Sequence, residues 1–125
     1  MSNTSDYTSL SDDDLFEALQ HAAIREHEAS EGYATDPEWR EKQHRWADEE
    51  AAISEEITRR GRHLQQRYIE LLNADHPSVR LSAALAVRKF APKLALPVLE
   101  ELHDSAKYGG HIAFDAGTTI RHMRK

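Results

Sequence analysis

The chain contains no cysteine, which excludes disulfides, thiolate zinc sites, iron–sulfur ligation and cysteine nucleophiles together. Its apolar runs are only a few residues long, too short for a helix to span a bilayer. The segment Met1–Ser11 is polar and acidic and lacks the apolar stretch of a secretory leader, so a soluble cytoplasmic protein is expected. Glycine and proline number 5 and 4. No Gly-x-Ser-x-Gly elbow is present, and Gly109-Gly110 lacks the Gly-Lys-Ser/Thr continuation of a phosphate loop. Aromatic residues make up 7%, sparse for a surface that stacks bases.

What remains is 125 residues with 39% hydrophobic side chains, enough for one domain with a modest core. The net charge of −6 is unevenly spread. Residues 1–60 hold 16 acids against 6 bases, and residues 61–125 hold 6 against 10. Such asymmetry bears on solubility and partner choice. A net anion is also poorly suited to holding duplex DNA over its whole surface.

Helical periodicity runs through almost the whole chain. Ser11 is placed to cap a first helix, with Asp12, Asp13 and Asp14 opposing the helix dipole and Leu10 positioned to staple onto Leu15. Leu15, Leu19, Ala22 and Ala23 form its stripe, with Gly32 as a stop. Asp36-Pro37 opens a second helix, on which Trp39, Trp46, Ile53 and Ile57 make a narrow seam among charges. Gly61 follows Arg59-Arg60 as a C-cap, although one helix from 37 to 72 with Gly61 inside is also open at a cost of about 1 kcal/mol. A third helix carries Leu64, Tyr68 and Leu72.

From Asp75 a repeat emerges. Pro77 opens a helix lined by Val79, Ala83, Val87 and Phe90, and a last helix carries Ile112, Ala116, Ile120 and Met123, the same spacing displaced by 33 residues. Between them Leu94 to Leu102 form another, with Pro97 near its start or at a kink. Hairpins of this kind bury their apolar faces against one another. The expected fold class is all-α, a short stack of antiparallel helical hairpins with about six helices. The expected organisation is a flexible tail over 1–10 and a single domain over 11–125, two leading helices over 11–61 and two hairpins over 62–125.

The stretch Leu71-Leu72-Asn73-Ala74-Asp75-His76-Pro77-Ser78-Val79-Arg80-Leu81-Ser82-Ala83-Ala84 resembles a HEAT repeat. The whole layout is similar to a small bacterial HEAT-like family of unknown function. That resemblance implies a right-handed stack and brings no catalytic residues with it. In this pattern Arg80 is expected to pair with Asp75 in the turn. The last unit departs from the pattern, with Lys107-Tyr108-Gly109-Gly110 in place of an Asp-Pro turn.

Eight histidines raise the question of metal. Glu41/His44 and Glu100/His103 are Glu-x-x-His pairs, as di-iron bundles use, with Glu17 or Glu28 together with Glu70 as the further carboxylates. Both pairs stand among Lys, Arg and Glu, which suits a solvated face better, so no metal and no other cofactor is expected. No enzymatic activity is expected either.

A non-catalytic protein-binding module is the reading that remains. Fold class, size and acidity fit an immunity protein that occludes a cognate, basic toxin domain, monomeric or weakly dimeric, with immunity itself an analogy at the level of the family. Its candidate partner-binding residues are Asp12, Asp13, Asp14, Glu49, Glu50, Glu55 and Glu56. Trp39 and Trp46 are expected to serve packing before recognition. The alternatives are a generic interaction scaffold and a nucleic-acid-binding protein using Arg80, Arg88, Lys89, Lys93, Arg121, Arg124 and Lys125.

Overall fold

Ser11 lies in extended backbone and its Oγ accepts the Asp14 amide at 3.1 Å, satisfying one of the free donors at a helix start. From that cap α1 runs Asp12–Glu31 and ends at Gly32. The computed structural model describes residues 6–104 and 107–124. Among these it contains five further helices: α2 Trp39–Arg60, α3 Gln65–Leu71, α4 Pro77–Val87, α5 Pro92–Leu102 and α6 Gly110–Met123. No strand occurs among the described residues, and no helix is long and apolar enough to cross a membrane.

The breaks follow local chemistry. Asp36 accepts the Glu38 amide at 2.9 Å and forms a turn with the Trp39 amide, so α2 begins two residues later than Pro37 suggests. Gly61 adopts φ 116° and ψ 178°, a conformation available to glycine almost alone. It separates α2 from a 3-10 turn at Arg62–Leu64 that leads into α3, so the chain is not one helix from 37 to 72. Pro92 starts α5 and Pro97 lies inside it, where it removes one amide donor from the helix.

The hairpins α1/α2, α3/α4 and α5/α6 each pack internally. The first docks on the other two through α1, which reaches both α4 and α6. By contrast, α2 packs extensively only against α1 and the adjoining 3-10 turns. The core is one cluster running from Leu15, Phe16 and Leu19 through Ile53, Ile57, Leu64 and Tyr68 to Val87, Leu99, Leu102 and Ile112. Side chains this deeply buried contribute about 1.5–3 kcal/mol each.

The 33-residue displacement holds in three dimensions. Val79 and Ile112, Ala83 and Ala116, and Val87 and Ile120 are all buried, while Phe90 and Met123 both flank the core. Arg80 clamps the intervening loops. Its guanidinium donates to the carbonyls of Ala74 and Asp75 and to the Tyr108 hydroxyl. The turn is thus held through backbone oxygens, and the expected pairing with the Asp75 carboxylate is not how it is made. Residues 6–10 of the expected tail run against the first hairpin, where Arg60 donates to the carbonyls of Tyr7 and Thr8. Residues 1–5 lie outside the described residues.

Candidate functional site

The apolar stripe of α1 turns polar in its second half. Glu26, His27 and Ser30 occupy the positions one turn beyond Ala22, Ala23 and Glu26, on the face that points to α4 and α6. Facing groups come from each neighbour: Glu50 on α2, Ser78 and Ser82 on α4, and His111 and Asp115 on α6. With Glu26 these groups line a cavity of about 250 Å³.

Glu50 shares this lining with Glu26 and Ser82. Two carboxyl groups that line one small cavity repel when both are ionised, which favours a proton on one of them. Burial, then the neighbouring Glu26, push the Glu50 carboxyl up to about 9. Burial and the Glu26 charge raise Asp115 to about 6. A carboxyl raised this far favours its neutral form near neutral pH.

His111 lines this cavity and also a wider cleft of about 670 Å³. There the His27 ring stands 5.3 Å from His111 and 5.6 Å from His76, centre to centre. Two serines orient the outer rings. Ser30 Oγ donates to the His27 carbonyl at 2.7 Å, so at 2.9 Å it accepts from His111 Nδ1. His76 Nδ1 accepts the Ser78 amide and therefore carries no proton. Burial lowers the pKa of both His76 and His111, and the neighbouring His27 charge adds to this. Neutral imidazoles result. Tyr33, Trp39 and Tyr108 surround the histidines in the lining of this cleft, and Tyr33, 71% exposed, meets Trp39 edge-on at 6.5 Å.

The acidic residues singled out from the sequence are not gathered into one open face. Asp12 pairs with Arg60 at 2.9 Å, Asp13 with Arg67 at 2.7 Å, and the Asp14 amide is held by the Ser11 cap. Glu49 accepts from the Tyr7 hydroxyl. Glu50 lines the interior cavity just described, and Glu56, 7% exposed, is gripped by Arg59 and Arg60. Those two guanidinium groups hold the Glu56 carboxyl down at about 2. Glu55 stands exposed beside the groove between α2 and α4. Sequence reasoning passed over Glu26, His27, His111 and Asp115. Glu50 carried a usable signal, lying four residues after Trp46 and three before Ile53, on the seam itself.

The other candidates are dispersed. Glu41 and His44 are exposed on α2, Glu100 pairs with Arg124 at 2.9 Å, and His103 Nδ1 lies 3.2 Å from the Ala113 carbonyl. No group of three or more His, Asp or Glu able to hold a metal occurs among the described residues. Of the cations, Arg80 is spent on the loops and Arg124 on Glu100, while Lys89, Lys93 and Arg121 are exposed. Lys125 lies outside the described residues.

No protein-family model matches the chain, and no curated protein does. Among solved structures it is similar to the protein RPA1889 from Rhodopseudomonas palustris CGA009, with a TM-score of 0.82 at 22% identity, over 97% of this chain and 94% of that one. At that identity the likeness is one of fold: both are the same small all-α arrangement.

Proposed function

We propose that the chain is a non-catalytic protein-binding module whose docking site is the aromatic cleft, and that it acts as an immunity protein against a basic toxin domain. The observation that carries this reading is the lining of the cleft. Tyr33, Trp39 and Tyr108 surround a hollow of about 670 Å³, and tyrosine and tryptophan are the residues in which interface energy concentrates. Tyr33 is the most exposed large hydrophobic side chain among the described residues. The charge argument narrows compared with the sequence reading. Most of the acids first nominated are spent on internal partners, whereas Glu31, Glu38 and Glu41 are exposed on or beside the cleft-lining residues. Carboxylates next to aromatic faces suit an arginine- or lysine-bearing surface.

The test is growth rescue. The chain is co-expressed with the toxic domain encoded by the adjacent reading frame, alongside a Tyr33→Ala, Trp39→Ala double variant. Wild type is expected to restore growth, and the double variant to lose protection while keeping its helical circular dichroism. Failure of the wild type to protect refutes immunity; equal protection by the variant refutes the cleft as the docking site.

A further inference from the structure

The start of α4 is capped in a way that only one protonation state of a side chain allows. Pro77 is its first residue and has no amide hydrogen, and the amides of Val79 and Arg80 reach the His76 carbonyl at 3.0 and 3.1 Å. The Ser78 amide is taken by the His76 ring, whose Nδ1 accepts it at 3.2 Å. The Ser78 hydroxyl lies 2.7 Å from the same nitrogen. Serine, threonine, aspartate and asparagine ordinarily hold this position, and their oxygens accept throughout the range around neutral pH. Imidazole differs. Its Nδ1 accepts while it is bare and becomes a donor once protonated.

We propose that His76 is a proton-released helix cap: with Nδ1 bare it holds the first turn of α4 and that wall of the aromatic cleft, and with Nδ1 protonated it loosens both. The chemistry is one proton. Taken from solvent, it binds the Nδ1 lone pair, and the ring then turns an N–H toward the Ser78 N–H. The Ser78 hydroxyl can rotate and accept from the charged ring, but the amide can only donate and loses its partner. Ser78 is 4% exposed, so its amide is poorly placed to exchange the ring for water. The new charge also stands at the positive end of the α4 dipole.

Each neighbouring element brings a charge to bear on the ring. On α1, His27 stands 5.6 Å away, centre to centre, and Glu28 and Glu31 favour the charged form. On α4, Arg80 opposes it. On α6, His111 lies beyond His27 at 5.3 Å from that ring. Lys107 lines the same cleft from the loop before α6, and Asp75 precedes the ring in the chain. Burial and the His27 charge outweigh the two glutamates and hold His76 below 6.5. The contribution of the cap is therefore present above 6.5 and is lost as pH falls from there through the lower folded value. Release reaches the cleft through two residues. Pro77 lines it directly, and one turn on Arg80 donates at 2.8 Å to the hydroxyl of Tyr108, which lines it too.

Magnetic resonance on the isotope-labelled chain reads the ring and amide nitrogens together. A scalar coupling between the Ser78 nitrogen and His76 Nδ1, carried by the hydrogen bond, is expected at pH 7.5. It is expected to vanish as the ring shifts report protonation. Protection of the Ser78 amide against exchange should fall by about fivefold over the same step. His76→Asn keeps an oxygen acceptor that does not titrate, so Ser78 protection in that variant should stay constant from pH 7.5 to pH 5. The Tyr108 ring resonances should follow the His76 titration in wild type and move less in His76→Asn. If the variant does not fold, the wild-type coupling decides. A coupling absent at pH 7.5, a coupling that persists on the charged ring, or a ring that stays neutral until the chain unfolds overturns the cap. An equal fall in Ser78 protection in His76→Asn overturns it as well, and a Tyr108 ring indifferent to the step overturns its reach into the cleft. None of these readouts uses a partner, so the cap and the docking reading fail separately.

Discussion

Single residues carry more of this architecture than their chemistry advertises. Gly61 is the one described glycine with positive φ, and at ψ 178° it stands where a Cβ meets backbone on both sides. Space is not the obstacle, since an added Cβ comes no closer than 3.5 Å to the His63 ring. Gly61→Ala is therefore expected to cost about 1–3 kcal/mol through backbone strain alone. A urea midpoint unchanged within error would refute that account. Gly117 is the opposite case. Its φ is unremarkable, but a Cβ there would meet the His103 ring at 2.6 Å. The obstacle is a side chain resting on the helix, and a rotation of His103 relieves it. Arg80 was legible as a turn residue from its place after Asp75-His76-Pro77-Ser78-Val79. Its actual acceptors were not, because a guanidinium bonds whichever oxygens the folded loops present.

At the scale of elements, the paired alanines of the repeat set how closely the hairpins approach. Ala83 and Ala116 hold equivalent places on α4 and α6 and are wholly buried, and α4 and α6 touch. A larger side chain at either has nowhere to go in a close-packed interior. Ala83→Leu and Ala116→Leu are each expected to destabilise by about 1–3 kcal/mol, whereas exposed Ala51→Leu on α2 is expected to stay within about 0.5 kcal/mol. Comparable losses at all three positions, measured by urea unfolding, would show that the repeat plays no such part. These apolar positions are where the sequence speaks most plainly, because helical period and burial are two readings of one constraint. The interior site escaped the same reading. Glu26, His27 and Asp115 continue apolar faces with polar side chains, and a sequence pass assigns such residues to solvent. Only the docking of α1 onto α4 and α6 brings them together, and that docking rests on long-range packing which periodicity does not encode.

Across the whole molecule the perturbed ionisable groups compete, and their directions set an unusual pH profile. Glu56 is held at about 2 by Arg59 and Arg60, against 4.5 when free. Its contribution is present above 4.5 and is lost as pH falls toward 2. Asp36 is lowered by its hydrogen bond to Lys42 and acts in the same sense. His76 and His111 are lowered from 6.5, so they favour the fold above 6.5 and cost stability as acid charges the unfolded chain first. Two groups run the other way. Glu50, raised to about 9, and Asp115, raised from 3.8 to about 6, bind protons more tightly in the folded chain, so each favours the fold at lower pH. On acidification from pH 9 the Glu50 gain comes first and alone. Below 6.5 Asp115 joins it while the two histidines oppose, and below 4.5 the carboxylates bonded to arginine and lysine take over and destabilise. Maximum stability is therefore expected at about pH 5–6.5, acid of neutrality. The check is a series of urea midpoints from pH 3 to pH 9. The midpoint at pH 6 should exceed those at both pH 3.5 and pH 8.5. Asp115→Asn should steepen the loss on acidification from pH 6 to pH 4, and leave the alkaline limb to Glu50. A midpoint that climbs steadily from pH 5 to pH 8.5 would mean that the interior carboxyl groups are ionised in the folded chain.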